Sequence, residues 1–398
     1  MTVPAPPIVV RGARLFDGLE SWAVTDPAVQ IQGSRIVAVG ARQAWPRGAR
    51  VLALEGTTLL PGLIDTHVHL AFDSGPDPVA SLVARDERGV LAGMRMAARA
   101  ALVGGVTTLR DLGDRAYLSL ELRGRPDLPT ILTAGPPITT PGGHCHFLGG
   151  AVEPNRRAVR DAVQEHAERG VDVIKIMASG GALTPGSRPD LSQFSPEVLL
   201  AAVSEAHGLG LPITAHAHAV GAIRSAIRAG VDGIEHASFW TLNGVDSRPE
   251  LIDAIADAGI VVGATVGMRA VPGLAPPPEA LRRMPAMIGI LRELHRAGAL
   301  LVAGTDAGVG PIKPHDVVRY APVALQQLGM SPVQALRAVT SRAAAAVGLG
   351  DRKGRLAVGF DADILAVDGD PLTDPEALHR IRAVICRGRV VTDGLMDR

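Results

Sequence analysis

His67 and His69, in the segment DTHVHL, stand two residues apart on an apolar stretch of strand character, so both imidazoles fall on one face and can chelate one cation. Alone, such a pair is as readily a polar sheet edge. Lys175 stands in VDVIKIMAS, flanked by Val173, Ile174, Ile176 and Met177. Desolvation can lower a buried lysine pKa by up to ~3–5 units, so an interior lysine either meets an acid or becomes a neutral, nucleophilic amine. Such an amine can add carbon dioxide. The resulting carbamate is an anion with two oxygens, able to bridge two cations, and arginine cannot form it. Of forty basic residues only Lys175, Lys313 and Lys353 are lysine, so Lys175 stands against a strong compositional bias. PITAHAH and GIEHAS add His216, His218 and His236, and LLVAGTDAG delivers Asp306 from an apolar run. An aspartate before Ala-Gly would by itself be a turn residue; five strand ends carrying His, His, Lys, His, His and Asp point to a metal centre.

From about residue 60 the chain alternates β-branched runs with alanine-rich helical stretches, the pattern of a parallel sheet wrapped by helices. Eight runs read as strands: LLPGLIDTHVHL, VTTLRDLG, TILTAG, VDVIKIMAS, PITAHAH, GIEHAS, IVVGATV and LLVAGTDAG. Eight is the closing number of a (β/α)₈ TIM barrel, whose catalytic groups gather at the C-terminal ends of the strands. The intervening stretches AVRDAVQEHAERG, AVGAIRSAIRAG, PELIDAIADAG and LRELHRAG end in glycine, as helices stopped by a left-handed residue do. Ser195-Pro196 and Ser331-Pro332 read as N-caps followed by a first-turn proline, starting helices over PEVLLAAVSEAHGLG and PVQALRAVTSRAAAAVGLG. His166, His207, His295 and His379 fall on amphipathic helices and are expected on solvated faces. The proline-rich segment around 271–285 reads as a long loop or lid.

Outside this region, residues 8–56 and 355–393 alternate apolar and polar residues between Gly and Asp breaks, as short antiparallel strands do. Neither end holds enough strands alone. They are expected to pair into one discontinuous β-sandwich, giving segments 1–58 and 355–398 around a barrel of 59–354.

Composition narrows the function classes. Hydrophobic residues make up 47% and aromatics 3%, which describes a large aliphatic interior. Forty acidic residues balance the forty basic ones, and no long single-sign run offers a footprint for nucleic acid or anionic lipid. No stretch of eighteen apolar residues and no leader pattern is present, so a cytoplasmic location is expected. Cys145 and Cys386 are too few for a disulfide framework and are expected as free thiols.

These motifs together resemble the amidohydrolase superfamily, specifically its Xaa-Pro dipeptidase-like (prolidase-like) and ochratoxinase-like branch, over nearly the whole chain. PGLIDTHVHL, KIMASGG, TAHAH, GIEHAS, GTDAG and AVGFDADILAVDGDPL carry the resemblance. It implies two divalent metal ions, zinc by expectation, held by His67, His69, carboxylated Lys175, His216, His236 and Asp306. His144 in GGHCHFLGG, and His218, would contact substrate. Where the branch commonly reads GGHG and PHG followed by Asn, this chain has GGHCH and PHDVVRY, so Cys145, His146 and Asp316 depart from the pattern tied to substrate specificity, and the resemblance assigns no role to them or to His315.

The implied reaction is hydrolysis of a small-molecule or peptide amide, a dipeptide or N-acyl amino acid, by a hydroxide shared between the ions, with Asp306 as general base and then acid. A homo-oligomer is expected by the same analogy. The alternatives are a mononuclear cyclic-amide hydrolase of the imidazolonepropionase type, a lactonase or phosphotriesterase using the same ligands, and a non-catalytic metal-binding scaffold. Lys175 argues against the mononuclear type, which typically lacks it.

Overall fold

A computed structural model describes residues 6–22, 26–41, 46–274 and 278–392. Eight parallel strands occupy its centre: Leu63–Val68, Val106–Asp111, Thr130–Thr133, Ile174–Met177, Ile213–Ala219, Gly233–Thr241, Val261–Ala264 and Leu300–Ala303. The first three hydrogen-bond in sequence order, as do the last five. Single parallel bridges, Ile138 with Ile176 and Val68 with Ala307, span the two gaps between these sheets. Every strand is rich in buried Val, Ile, Leu and Ala, and helices separate most of them, as a parallel sheet covered on its outer face requires.

The glycine-terminated helices form where their sequence places them. Arg156–Arg169 and Val220–Ala229 end at Gly170 and Gly230, both left-handed with φ of 80° and 78°. Ser331 forms a capping box with Gln334, and Pro332 takes the first helical position.

Several expectations change. The first expected strand is two elements divided at Gly62: Thr57–Pro61 pairs antiparallel with Ile364–Asp368, and only Leu63–Val68 joins the central strands. A Cβ at Gly62 would overlap the Thr107 side chain, so the close crossing needs glycine. The stretch after Ser331 is two helices, Pro332–Arg337 and Ser341–Ala346, because Thr340 leaves helical geometry between them. Of the expected lid, residues 271–274 are irregular, residues 275–277 lie outside the described residues, and Pro278 begins the helix Pro278–Arg296. Proline there is a helix starter, its missing N–H being one that no first-turn residue would pair. His166 is buried, with Nε2 2.8 Å from Pro136 O and Nδ1 near both Ala162 O and Tyr117 Oη. Helical periodicity located His166 on the helix but could not see the loop that covers it.

The two ends of the chain form two sheets, the first of N-terminal strands alone and the second shared by both ends. One runs Arg35–Ala41, Pro27–Gln32, Ile8–Arg11, Arg50–Ala53; the other runs Arg389–Thr392, Ile381–Cys386, Ile364–Asp368, Thr57–Pro61, Arg14–Phe16, Ser21–Trp22. Most pairs are antiparallel as expected, but Ile8–Arg11 with Arg50–Ala53 and Arg14–Phe16 with Thr57–Pro61 are parallel. Val10, Val29, Ile31, Leu52, Leu59, Ile364 and Ile385 form a core of their own, separate from the main one. Burying each such side chain contributes about 1.5–3 kcal/mol. Lys353 joins the two regions, its Nζ 2.9 Å from Asp361 and 2.6 Å from Asp363.

Candidate active site

The strand Leu63–Val68 sends alternate residues inward, so Asp65 and His67 share a face and His69 follows just beyond the strand's end. Asp65 accepts hydrogen bonds from the backbone N–H of Thr305 and His67, at 3.0 and 3.2 Å, and so ties the first strand to the loop carrying Asp306. Burial raises Asp65 to about 6, against the pull of its Thr305 hydrogen bonds.

Each of the two histidines has an acceptor oxygen close to Nδ1. His67 Nδ1 lies 3.1 Å from Glu235 Oε2, and His69 Nδ1 lies 3.1 Å from Gly113 O. Their Nε2 atoms consequently converge to 3.3 Å, with Asp306 Oδ1 at 3.5 Å from His67 Nε2 and 3.3 Å from His69 Nε2. A ligating histidine whose other nitrogen bonds a carboxylate or carbonyl is the arrangement that fixes the tautomer for metal binding. Lys175 Nζ is 3.5 Å from His67 Nε2. Burial lowers Lys175 to about 8, which opens its neutral amine to chemistry near neutral pH.

A second group faces the first. His216, His218 and His236 bring one ring nitrogen each within 4.8 Å of the others, as do His67, His69 and Asp306 for their own ligand atoms. His216 Nε2 is 3.0 Å from Gly180 O, leaving Nδ1, while His236 Nδ1 is 3.4 Å from Thr265 Oγ1, leaving Nε2. Burial, followed by the neighbouring histidines and Lys175, holds His216 and His236 well below the ordinary histidine range, so both rings are neutral and their lone pairs available. His236 and Asp306 both adopt left-handed backbone, with φ of 72° and 61°. Non-glycine residues held there cost about 1–3 kcal/mol each and cluster at functional sites. At His236 the turn lets consecutive residues serve one interior, Glu235 below and His236 at the mouth.

His67 with His69 and Asp306, and His216 with His236, therefore present oxygen and nitrogen lone pairs to two adjacent points, and these donors fit divalent cations. Asp306 would prefer protonation on burial alone, but its interactions with His67, with His69, including a hydrogen bond, and with Lys313 outweigh this and hold it well below the usual carboxylate range.

His144 and His218 line the same cavity, whose volume is about 380 Å³. Thr184 Oγ1 accepts from Cys145 N at 2.8 Å, so its proton is free for His144 Nδ1 at 3.2 Å. Donation there would leave the His144 ring proton on Nε2. A Cβ at Gly181 would overlap this ring. His218 Nδ1 is 2.6 Å from Ser238 Oγ. Cys145 also lines the cavity, but burial and then Asp306 push its thiol up to about 12, which suits an inert thiol. His146 is exposed and bonded to Gly143 O. His315 is buried behind the site, with Nε2 3.2 Å from His69 O, and Asp316 pairs with Arg319.

The layer beneath was missed by sequence reasoning. Glu235 is fully buried and joins His67 to Arg110 and Thr214: Arg110 and the Thr214 hydroxyl donate to Glu235 Oε1 at 3.0 and 2.9 Å. Desolvation would raise the Glu235 carboxyl, yet His67, Arg110 and Lys175 together hold it well below the usual range. A Cβ at Gly263 or Gly304 would crowd Glu235 or His67, so those strands carry glycine where the network needs room. The available signal was a lone acid inside an apolar strand, GIEH, and a lone base inside VTTLRD.

The chain resembles ochratoxinase from Aspergillus niger, with 28% identity over 366 residues covering 82% of this chain and 73% of that protein. It is 27% identical to imidazolonepropionase from Deinococcus radiodurans, covering 90% of this chain and 89% of the other. Its fold matches the crystal structure of a Xaa-Pro dipeptidase with a TM-score of 0.83 at 25% identity, over 96% of this chain and 99% of that one. A model of the amidohydrolase family matches residues 58–391, and the chain belongs to that family: it is a hydrolase acting on carbon–nitrogen bonds.

Proposed function

We propose that this protein cleaves an amide bond at the C-terminal mouth of a (β/α)₈ barrel of about residues 59–354. The bridges at both sheet gaps support closure, and the separate core formed by the two chain ends supports a small discontinuous β-sandwich of 1–58 and 355–398. The convergence of His67 and His69 Nε2 on Asp306, with an acceptor oxygen beside each Nδ1, carries the reading.

His67, His69 and Asp306 would hold one divalent cation, zinc by its affinity for imidazole and carboxylate, and His216 with His236 a second. Lys175 Nζ, as a neutral amine, could add carbon dioxide with loss of a proton, and the carbamate would supply a further anionic oxygen donor to the cations. When bound, the cations supply Lewis acidity that polarises a carbonyl and acidifies water. Asp306, ionised and held between two imidazoles, takes the proton of the attacking water on its carboxylate and returns it to the departing nitrogen. His144 Nε2–H donates to the oxygen on which negative charge develops, and His218 sits beside it as a second contact.

Glu235, with Oε2 3.1 Å from His67 Nδ1, would favour the ring proton on that nitrogen. The expected dipeptide or N-acyl amino acid substrate would bring a free carboxylate into the cavity, and the cavity wall decides whether such a group is tolerated. The names of the relatives support amide hydrolysis: ochratoxinase and Xaa-Pro dipeptidase. A panel of amides, lactones and phosphotriesters tests it. Amide turnover lost in Asp306→Asn supports the reading; turnover of lactones with no amide cleavage overturns it.

A further inference from the structure

His218 reaches the cavity from the end of the strand Ile213–Ala219, and its ring is flanked by three others. It stacks on His236, with centroids 4.4 Å apart and planes at 29°, and meets His216 edge-on at 4.6 Å. The third neighbour is Trp240, at 5.4 Å and 38°. His216 and His236 are fixed by their own partners, so the question is what fixes Trp240.

Trp240 stands where its strand, Gly233–Thr241, is least regular. His236, Ala237 and Phe239 have φ of 72°, 46° and 54°, backbone that side-chain-bearing residues keep only when their surroundings impose it. The register with Ile213–Ala219 shifts over the same stretch, between Ala217 and Ala219. Support comes from the helix Pro278–Arg296, whose Ala280 also lines the cavity. The Arg283 guanidinium carbon lies 4.5 Å from the centroid of the Trp240 ring, and the same group donates to the carbonyls of Thr241, at 3.0 Å, and Gly244. The indole N–H donates to Met287 Sδ at 3.4 Å. A guanidinium can hold a ring face and two carbonyls at once because it is planar, charged and forked.

We infer that Arg283 is a positioning residue for the cleavage reaction: acting through Trp240, it fixes the His218 ring at the cavity. This rests on the reading of His218 as a substrate contact in amide cleavage. The chain of contacts runs Arg283, Trp240, His218, His236, so a helix outside the ligand cluster sets where substrate meets imidazole.

The test uses the metal-loaded full chain with Arg283→Met, which keeps a long side chain without the guanidinium. Arg292→Met is the control, since Arg292 is exposed on the same helix and donates to Gln327 O. In crystal structures beside the wild type, the His218 ring is expected to turn or lose order in Arg283→Met and to stay in place in Arg292→Met. A ring unmoved in Arg283→Met, or moved equally in both, overturns the inference. On an amide that is turned over, Arg283→Met is expected to raise KM at least fivefold with kcat changed less than twofold. In a His218→Ala background the same substitution should change KM less than twofold, because no ring is left to position. A loss of kcat at unchanged KM, or a fivefold effect persisting in that background, also overturns it. If Arg283→Met does not fold, Trp240→Leu takes its place with the same expected displacement of His218. If no amide is cleaved, the amide reading fails, and the position of His218 in the crystals still decides this inference.

Discussion

Replacing Glu235 by Gln removes one charge and no volume from the layer beneath the proposed metal ligands. His67 Nδ1, 3.1 Å from Glu235 Oε2, loses the carboxylate that fixes its ring, and Arg110, 3.0 Å from Oε1, loses its counter-charge in a buried setting. The two resulting costs can be separated. Loss of an orienting partner typically weakens metal affinity by about 10–100-fold, which is about 1.4–2.8 kcal/mol. Breaking a buried ion pair costs the fold about 3–5 kcal/mol, because one charge is left uncompensated. Metal affinity is read by competition with a chromogenic chelator, and stability by urea denaturation of metal-free protein. In the double variant Glu235→Gln/Arg110→Met, much of the lost stability should return while the metal affinity stays low. Unchanged metal affinity in Glu235→Gln would refute the claim that this carboxylate orients His67, and recovery of affinity in the double variant would show that the loss was only a folding defect.

Asp306→Asn should keep the fold and lower kcat by about 10²–10⁴-fold, the usual worth of a general acid–base, as read in steady-state assays on amides. Lys353→Met should destabilise the protein by about 3–5 kcal/mol, since Asp361 and Asp363 lose the ammonium they surround. Burial opposes the charge on Lys353, but the two aspartates outweigh it and raise its pKa. Its contribution is therefore full below the unfolded lysine value of about 10.4 and is lost as pH rises through the higher folded value, so the gap between wild type and variant should close in urea melts above that pH. Cys145 and Cys386, both buried, should resist a thiol reagent in the native state and react only on unfolding; rapid native labelling would contradict their placement.

Much of the site was legible because strand geometry converts spacing into direction. The two-residue interval of His67 and His69 and the lysine within VDVIKIMAS need only a period-two strand to share a mouth. Glycine after helical periodicity located Gly170 and Gly230 for an equally local reason. The hidden features depend on partners distant in sequence. Glu235 meets His67 and Arg110 only when strands of two different sheets face one another across the interior, and His166 is buried by a loop some thirty residues earlier. Proline misled in the opposite way at 278, where a chain breaker and a helix starter are the same residue and only the helical run after it tells them apart.

The central claim is a two-cation site that includes Lys175. Metal content per chain, measured by elemental mass spectrometry on protein purified without added metal or chelator, tests it beside Lys175→Ala. Two equivalents that fall in the variant are predicted. One equivalent unaffected by the substitution would contradict the account, return Lys175 to the core, and favour a mononuclear ring hydrolase.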